Sequence, residues 1–296
     1  MCPHQSASGQ PLPDEPLSKT PGQPLLGELE DLATSAAGAA GRFILQERPR
    51  GLGVLGTKSS INDIVTEMDQ QSEALLRAHL LSARPDDAIL GEEGGASQGS
   101  SGITWVIDPI DGTVNYLYEI PAYCVSVAAV IGDAGTPGQW RPVAGAVCNP
   151  LSNQIFHARL GGGAYVLHSD DDTAIKVSAV DVLLQSLVAT GFGYRPEVRA
   201  RQGEVLAAIL PEIRDIRRAG SAALDLCAVA CGTVDAYYES GLNPWDLAAG
   251  WLIATEAGAL VSGLNDMAPG ETAVVAAGPG IHGSLKSRLE ALAPLR

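Results

Sequence analysis

WVIDPIDGT, residues 105–113, brings an apolar stretch directly up to two aspartates that lie three positions apart. The apolar residues predict a buried strand, and the proline keeps Asp108 in an extended conformation. Gly112 lets the chain leave the strand in a tight turn. We therefore expect the carboxylates of Asp108 and Asp111 to converge on one point beyond a sheet. The backbone N–H groups of Gly112 and Thr113 beside them are candidates to bind a phosphate.

Three carboxylates far from this stretch have similar local settings. Glu92 follows a short apolar run and is flanked by glycines, while Asp69 stands at the start of a predicted helix. Asp246 falls in the first turn of a helix whose other residues are largely apolar. Taken singly, each has a structural explanation, Asp69 and Asp246 as helix caps and Glu92 as a turn residue. The apolar helix behind Asp246 nevertheless implies that this carboxylate is buried.

If these carboxylates converge, their mutual repulsion requires either protonation or bound cations. Lys58 is the only basic residue near these motifs, and no histidine lies close to them in sequence. Oxygen ligands without nitrogen or sulfur favour Mg²⁺ or Mn²⁺ over zinc. Several carboxylates around hard cations are typical of sites that transfer phosphoryl groups.

The chain is predicted to divide into a tail and two lobes. Residues 1–24 are polar and rich in proline, which predicts a disordered N-terminal tail. Residues 25–176 start with two helices and continue with short strands, which predicts an α+β lobe with a largely antiparallel sheet and most of the candidate metal ligands. Residues 177–296 alternate strands and helices, which predicts an α/β lobe that contributes Asp246. The acidic run at 170–172 is predicted to be a solvated turn.

The composition argues against several classes of protein. The chain has 296 residues, of which 46% are hydrophobic, and a formal net charge of −15. Such acidity disfavours binding to nucleic acid or anionic lipid, and no apolar run reaches the roughly 20 residues that span a bilayer. Five scattered cysteines and an N-terminus without signal-peptide features indicate a cytoplasmic protein with reduced thiols. A phosphate substrate is compatible with this charge only if cations lie between substrate and protein.

Four motifs together resemble the inositol monophosphatases, within the lithium-sensitive, metal-dependent phosphatase superfamily. The similarity covers nearly the whole chain after about residue 25 and is greatest to actinobacterial members. The resemblance implies a layered αβαβα sandwich, of the type shared with fructose-1,6-bisphosphatase, and a homodimer. The motifs are Gly91-Glu92-Glu93, WVIDPIDGTVNY at 105–116, AGSAA at 219–223, and the segment 235–250 with its Trp245-Asp246.

The resemblance also assigns expected roles to individual residues. The first magnesium would be bound by Glu92, Asp108 and the carbonyl of Ile110, the second by Asp108, Asp111 and Asp246, and a weaker third by Glu92 and water. Asp69 and Thr113 would orient and deprotonate the attacking water, with Glu92 contributing to catalysis as well. Phosphate would be bound by the backbone of Gly112 and Thr113, and the hydroxyls of the alcohol by Gly220, Ser221, Ala222 and Glu239. Lys58, near a loop beside the metals, and Glu93 would be accessory.

The expected activity is the hydrolysis of myo-inositol 1-phosphate or a similar polyol phosphate, with two or three Mg²⁺ ions and Mn²⁺ as a possible substitute. Ser221 replaces a threonine often found in the family, and Asn243-Pro244 occupy a segment that varies between members and shapes the substrate pocket, so the identity of the alcohol stays open. Histidinol phosphate, fructose bisphosphate and nucleotide 3′-phosphates are alternative substrates of related enzymes. A catalytically silent regulatory protein is the alternative from another class. Against it stands the sequence, which retains every expected metal carboxylate.

Overall fold

The computed structural model describes residues 20–48, 54–57 and 64–292 of the chain, with the backbone alone over 54–57 and 64–66. Lys58 lies outside these residues, as does the predicted tail over residues 1–24 apart from 20–24. The first helix begins at Gln23, two residues earlier than predicted, because Pro24 occupies one of the first helical positions, where proline is tolerated. Within the described ranges, no helix combines the length and apolarity that a membrane crossing requires.

The described residues form seven α-helices and fifteen strands. The helices are α1 Gln23–Gln46, α2 Glu67–Ala83, α3 Thr113–Tyr118, α4 Pro196–Ile209, α5 Ala222–Ala230, α6 Pro244–Glu256 and α7 Pro279–Ala291. The strands are β1 Val54–Thr57, β2 Ile64–Thr66, β3 Ala88–Gly91, β4 Gly95–Ser97, β5 Thr104–Asp111, β6 Cys124–Gly132, β7 Trp140–Asn149, β8 Gln154–Arg159, β9 Gly163–His168, β10 Asp171–Ala174, β11 Leu187–Thr190, β12 Asp215–Arg217, β13 Ala236–Glu239, β14 Leu260–Ser262 and β15 Val274–Ala277.

The larger sheet has eight strands in the order β10-β9-β8-β7-β6-β5-β3-β4. All neighbouring pairs are antiparallel except β3 and β5, which are parallel. This agrees with the largely antiparallel sheet predicted for the first half of the chain. Since β3 and β5 run in the same direction, their C-terminal ends meet at one edge of the sheet. Glu92 follows β3 there, and the two aspartates of β5 lie beside it.

The smaller sheet has five strands in the order β12-β11-β13-β15-β14. The first three are parallel, and β15 pairs antiparallel with both β13 and β14. The remaining strands, β1 and β2, form a separate antiparallel pair just before α2. The parallel part of the smaller sheet agrees with the strand–helix alternation seen in the second half of the sequence.

Helices and sheets alternate in five layers. α1 and α2 cover one face of the larger sheet, where Leu29 and Trp105 are buried in one core. α5 and α6 lie between the sheets, with Leu252 packed towards the larger sheet and Leu226 towards the smaller one. α4 and α7 cover the outer face of the smaller sheet, where Leu285 is buried. The αβαβα order expected from the family resemblance is therefore confirmed.

Two local predictions differ from the structure, and one helix was not predicted. The strand predicted to end at Ile107 continues to Asp111, because the pairing of β5 with β6 shifts register after Asp108 instead of ending there. The acidic run predicted as a turn includes the start of β10, an exposed edge strand that pairs with β9. Helix α7 was not predicted.

Candidate active site

The register shift in β5 creates the local geometry of the two aspartates. Asp108 pairs with Ser126 and Asp111 with Cys124, so two residues of β5 lie between successive pairs. Asp108 Oδ1 accepts a hydrogen bond from the N–H of Ile110 at 3.0 Å, which fixes the carboxylate against this bulge. The chain then turns into α3 at Gly112, whose φ of 92° is unfavourable for residues with a side chain.

Three aspartates from distant parts of the chain meet at this edge. Asp108, Asp111 and Asp246 each place one carboxylate oxygen within 4.8 Å of the others. Asp246 reaches the cluster from the first turn of α6, where its Oδ2 accepts the N–H of Asn243 at 2.7 Å. Asp246 is therefore a helix cap and a member of the acidic cluster at once, so both interpretations of its sequence position hold.

Asp111 is also tied to the N-terminus of α5. Its Oδ2 accepts the hydroxyl of Ser221 at 2.6 Å and the N–H of Ala223 at 2.8 Å. Ser221 is 1% exposed, and its Oγ accepts the N–H of Leu224 as the N-cap of α5. In this arrangement Ser221 orients Asp111, while its predicted contact with a substrate hydroxyl stays a prediction.

The carboxylates form one electrostatic unit. Burial, followed by the charges of Glu92, Asp111, Asp246 and Asp69, raises the pKa of Asp108 well above its usual value. The pKa of Asp246 is raised in the same way by burial and then by Asp111 and Glu92. All five predicted carboxylates therefore lie near enough to influence the same site. No ion pair with a described basic residue offsets this repulsion at Asp108, Asp111 or Asp246.

The donor set fits hard divalent cations. Buried carboxylate oxygens that converge without a neutralising base are unfavourable unless cations bind between them. Oxygen-only ligation of this kind suits Mg²⁺ or Mn²⁺. The carbonyl of Ile110, expected to be a further ligand, accepts the hydroxyl of Thr113 at 3.0 Å and keeps a second lone pair.

The predicted substrate contacts lie around a second group of polar residues. Glu239, at the end of β13, accepts the hydroxyl of Tyr237 at 2.6 Å. Burial raises the pKa of Glu239 to about 7, against the opposing effects of Tyr237 and Arg218. Its carboxylate lies against the backbone of Gly191, where a Cβ atom would collide with it. Gly220 has φ 98° and contacts the guanidinium of Arg218, while Ala222 is buried in the first turn of α5.

Three residues at this site were not identified from the sequence. Asp225 is buried in α5, and burial followed by the charges of Glu239 and Asp111 raises its pKa to about 8. Arg218 lowers the pKa of both Asp225 and Glu239. Asn115 donates to the carbonyls of residues 122 and 219 and so joins α3 to the loop before α5. A lone aspartate in the apolar helix AALDLCAVA was a usable signal for Asp225, since the same reasoning identified Asp246.

The accessory residues have different outcomes. The backbone N–H of Glu93 donates to the carboxylate of Glu73 on α2, so the loop after β3 is held by that helix. Lys58 lies outside the described residues, and its predicted role is untested.

Asp69 and Thr113 are the residues predicted to orient the attacking water. Burial and then the charges of nearby carboxylates, Asp69 among them, raise the pKa of Asp108, which supports the nearness of Asp69 and Asp108. Thr113 lies next to the bulge.

Comparisons with known proteins give a consistent result. The sequence profile of the inositol monophosphatase family matches residues 26–295. The Inositol-1-monophosphatase SuhB of Mycobacterium tuberculosis is 45% identical over 272 residues, which cover 88% of this chain and 91% of that protein. The Nus factor SuhB of Vibrio cholerae is 36% identical over 234 residues, covering 78% of this chain and 84% of that protein. Among solved structures, Mycobacterium tuberculosis SuhB has a TM-score of 0.77 and 41% identity, covering 91% of this chain and 98% of that one.

Proposed function

Because the chain belongs to the inositol monophosphatase family, we propose that it is a Mg²⁺-dependent phosphatase that hydrolyses myo-inositol 1-phosphate or a similar polyol phosphate. The observation that carries the proposal is the convergence of Asp108, Asp111 and Asp246 within 4.8 Å. Family membership supports phosphatase chemistry, and this buried oxygen cluster supports its dependence on a divalent cation.

In the proposed site, Mg²⁺ would be held by Asp108, Asp111 and Asp246, with Glu92 and the carbonyl of Ile110 as further ligands. Two or three ions are proposed, with Mn²⁺ as a substitute. Bound there, the cations would activate water and offset the negative charge of the phosphoryl group.

The reaction breaks one P–O bond with water as the nucleophile. Thr113 donates its hydroxyl proton to the carbonyl of Ile110, so its lone pairs are available to accept a hydrogen bond from the attacking water. Asp69 would accept the proton of that water as its oxygen bonds to phosphorus. The ester oxygen leaves as an alkoxide and takes a proton from solvent, giving the alcohol and inorganic phosphate. The N–H groups of Gly112 and Thr113 would bind the phosphoryl oxygens.

Recognition of the alcohol is proposed for the group around Glu239. The partly buried carboxylate of Glu239 would accept hydrogen bonds from the hydroxyls of a polyol. Gly191 has no side chain and so leaves room for this carboxylate. The backbone of Gly220 and Ala222 and the hydroxyl of Ser221 complete the proposed contacts.

A substrate panel tests this assignment. We expect Glu239→Gln to raise the KM for myo-inositol 1-phosphate about tenfold, because one charged acceptor is lost. The KM for p-nitrophenyl phosphate, which has no such hydroxyls, should stay within about twofold. The same assay measures the hydrolysis of the alternative substrates, which are histidinol phosphate, fructose 1,6-bisphosphate and nucleotide 3′-phosphates. Faster hydrolysis of any of these than of polyol phosphates would contradict the proposed substrate class.

A regulatory role without catalysis is the second candidate, because a relative from Vibrio cholerae bears the name Nus factor. The intact acidic cluster favours an enzyme over this alternative. A phosphatase-negative Asp108→Asn protein that fully replaced the wild type in cells would favour regulation.

We also propose a cytoplasmic homodimer that binds neither nucleic acid nor membranes, supported by the family and the net charge of −15. Light scattering at micromolar concentration measures the oligomeric state.

A further inference from the structure

Glu73 makes an unusual set of contacts beneath the loop that carries Glu92. It lies on α2, is 2% exposed, and both of its oxygens accept backbone N–H groups from that loop. Oε2 accepts from Glu93 at 2.7 Å and Oε1 from Gly94 at 2.8 Å. The charge of Glu73 is matched by Arg77, whose Nε donates to Oε1 at 2.7 Å. One carboxylate therefore fixes the two residues that directly follow Glu92.

The loop itself is shaped to sit on this carboxylate. A Cβ atom added at Gly91 or at Gly94 would lie 2.6 Å from Glu73, so glycine is required for the observed approach. Arg77 extends the contact, because its Nη2 donates to the carbonyl of Gly95 at 2.5 Å. The residues after Glu92 are thus held to α2 by hydrogen bonds, and Gly91 before it packs closely against Glu73.

The same stretch of α2 contacts the other acidic segments. Asp69 lies one turn before Glu73 on the same helix, and the hydroxyl of Ser72 donates to the carbonyl of Pro109 at 3.2 Å. The bulge that carries Asp108 is therefore attached to α2 next to the Glu92 loop. Residues 69–77 fix the relative positions of three parts of the site that come from three separate segments.

We propose that Glu73 is a positioning residue that holds Glu92 in place to bind the catalytic cation, an inference that rests on the proposed function. Glu73 bonds to the backbone on the C-terminal side of Glu92 and not to the reacting groups. Prior fixation of a ligand lowers the entropic cost of arranging it around a cation. Loss of the Glu73 contacts should weaken cation binding through Glu92 without removing any ligand.

The test measures Mg²⁺ affinity of the full chain by titration calorimetry. Glu73→Gln keeps the shape of the side chain but replaces one acceptor oxygen by an NH₂ group, which faces a backbone N–H. We expect the Kd for Mg²⁺ to rise about tenfold, within the range for groups that orient a metal ligand. At saturating Mg²⁺, kcat should return to within about threefold of the wild-type value. Gly94→Ala, which displaces the loop while Glu73 is intact, should raise the Kd in the same direction.

A matched control comes from Glu256 at the end of α6. Its two oxygens accept the N–H groups of Gly161 and Gly163, at 2.9 and 3.0 Å, in a hairpin that contains none of the site residues. Glu256→Gln should lower the melting temperature but leave the Kd for Mg²⁺ unchanged. This control separates a general loss of stability from a specific loss of cation binding.

The outcomes are distinct. A Kd for Mg²⁺ within twofold of wild type in folded Glu73→Gln would overturn the positioning role while leaving the proposed function intact. If Glu73→Gln does not fold, a wild-type Kd in Gly94→Ala overturns it instead. A wild-type protein that binds no Mg²⁺ and releases no phosphate would contradict the proposed function itself, and with it this inference.

Discussion

At Asp108, burial and the charges of neighbouring carboxylates both act against the metal-free protein. Burial and four neighbouring carboxylates raise its pKa, so the folded state takes up a proton more readily than the unfolded chain does. For a carboxyl with a raised pKa, stability falls as the pH rises through the interval between its unfolded and folded pKa values. At neutral pH without metal, the burial of Asp108 therefore lowers the stability of the fold.

The substitution Asp108→Asn should separate the effect of Asp108 on stability from its role in the proposed activity. In the presence of EDTA at pH 7.5 we expect a higher melting temperature than for the wild type, because the carboxyl whose ionisation is disfavoured by burial and by its neighbours is removed. A gain of about 1 kcal/mol corresponds to roughly 2–4 °C. Phosphatase activity and the stabilisation by Mg²⁺ should both be lost. Differential scanning calorimetry measures the shift, and a melting temperature below that of the wild type would contradict the account.

Gly112 connects the bulge of β5 to α3, and a side chain at this position has no space. A Cβ atom there would lie 2.8 Å from the carbonyl oxygen of Ala122, and φ is 92°. We expect Gly112→Ala to lower stability by about 1–3 kcal/mol and to reduce activity, because the N–H groups beside Asp111 are displaced. Gly27→Ala is the control, since Gly27 lies in α1 with no atom within 4 Å of an added Cβ. Urea unfolding should show that variant to be more stable by about 0.5–1 kcal/mol.

At the residue scale, the sequence predicted the acidic cluster better than its surroundings. Asp108 and Asp111 could be predicted as site residues because strand, proline and glycine signals occur in one short stretch. Asp246 could be predicted because it is a charged residue in the first turn of an otherwise largely apolar helix. Glu73 was missed because its contacts join segments whose proximity exists only in the folded chain. Asp225 was missed although its position in an apolar helix was a usable signal.

At the element scale, a histidine connects α1 to the far edge of the larger sheet. His157 on β8 lies between two carboxylates, with Glu30 of α1 at 2.8 Å and Asp172 of β10 at 3.0 Å. Burial disfavours the charged imidazole, but the hydrogen bonds to Glu30 and Asp172 outweigh it, so the pKa of His157 is raised. Burial likewise disfavours the charged form of Glu30, but hydrogen bonds to His157 and Arg159 lower its pKa overall.

These two pKa shifts define the pH range in which the contacts of His157 with Glu30 and Asp172 stabilise the fold. The histidine contribution is complete below its unfolded pKa of about 6.5 and is lost as the pH rises through the higher folded value. The Glu30 contribution is present above its unfolded pKa and is lost as the pH falls through the lower folded value. The contacts between His157 and Glu30 are therefore most stabilising in mildly acidic solution, between the unfolded pKa values of Glu30 and His157.

The substitution His157→Gln tests this window. We expect it to lower the free energy of unfolding by about 1.5 kcal/mol at pH 6 and by clearly less at pH 8.5. Denaturant titrations at the two pH values give the difference. His79→Gln, which removes a contact with the hydroxyl of Ser35 instead, is the control for replacing a histidine elsewhere in the fold. Equal losses for His157→Gln at both pH values would contradict the proposed charge on His157.

The elements that the sequence did not predict have identifiable causes. Helix α7 contains two glycines after its initial proline, which obscure the spacing of its apolar residues. Strand β10 has no apolar alternation, because all four of its residues are exposed and its place depends on pairing with β9. In β5 the apolar run ends at Ile107, but the strand continues to Asp111 because the register shift after Asp108 accommodates the proline. Local signals fail where a neighbouring element determines the conformation.

At the scale of the whole molecule, strand order was not accessible from local patterns. The larger sheet joins β3 to β5 in parallel while every other neighbouring pair is antiparallel, and this arrangement creates the edge at which the carboxylates meet. Periodicity predicted two mixed lobes, whereas the five-layer order came from the family resemblance. The chain carries a net charge of −15, and the proposed cations would let the carboxylates at this edge bind a phosphate instead of repelling it.

We propose that this edge of the larger sheet is a metal centre that hydrolyses phosphate esters. The most direct test of this proposal is phosphate release from myo-inositol 1-phosphate by protein depleted of metal with EDTA, as Mg²⁺ is titrated back. We predict no release in excess EDTA, recovery that saturates with Mg²⁺, and no recovery in Asp108→Asn. Full activity in excess EDTA, or a wild-type rate in Asp108→Asn, would contradict the proposal.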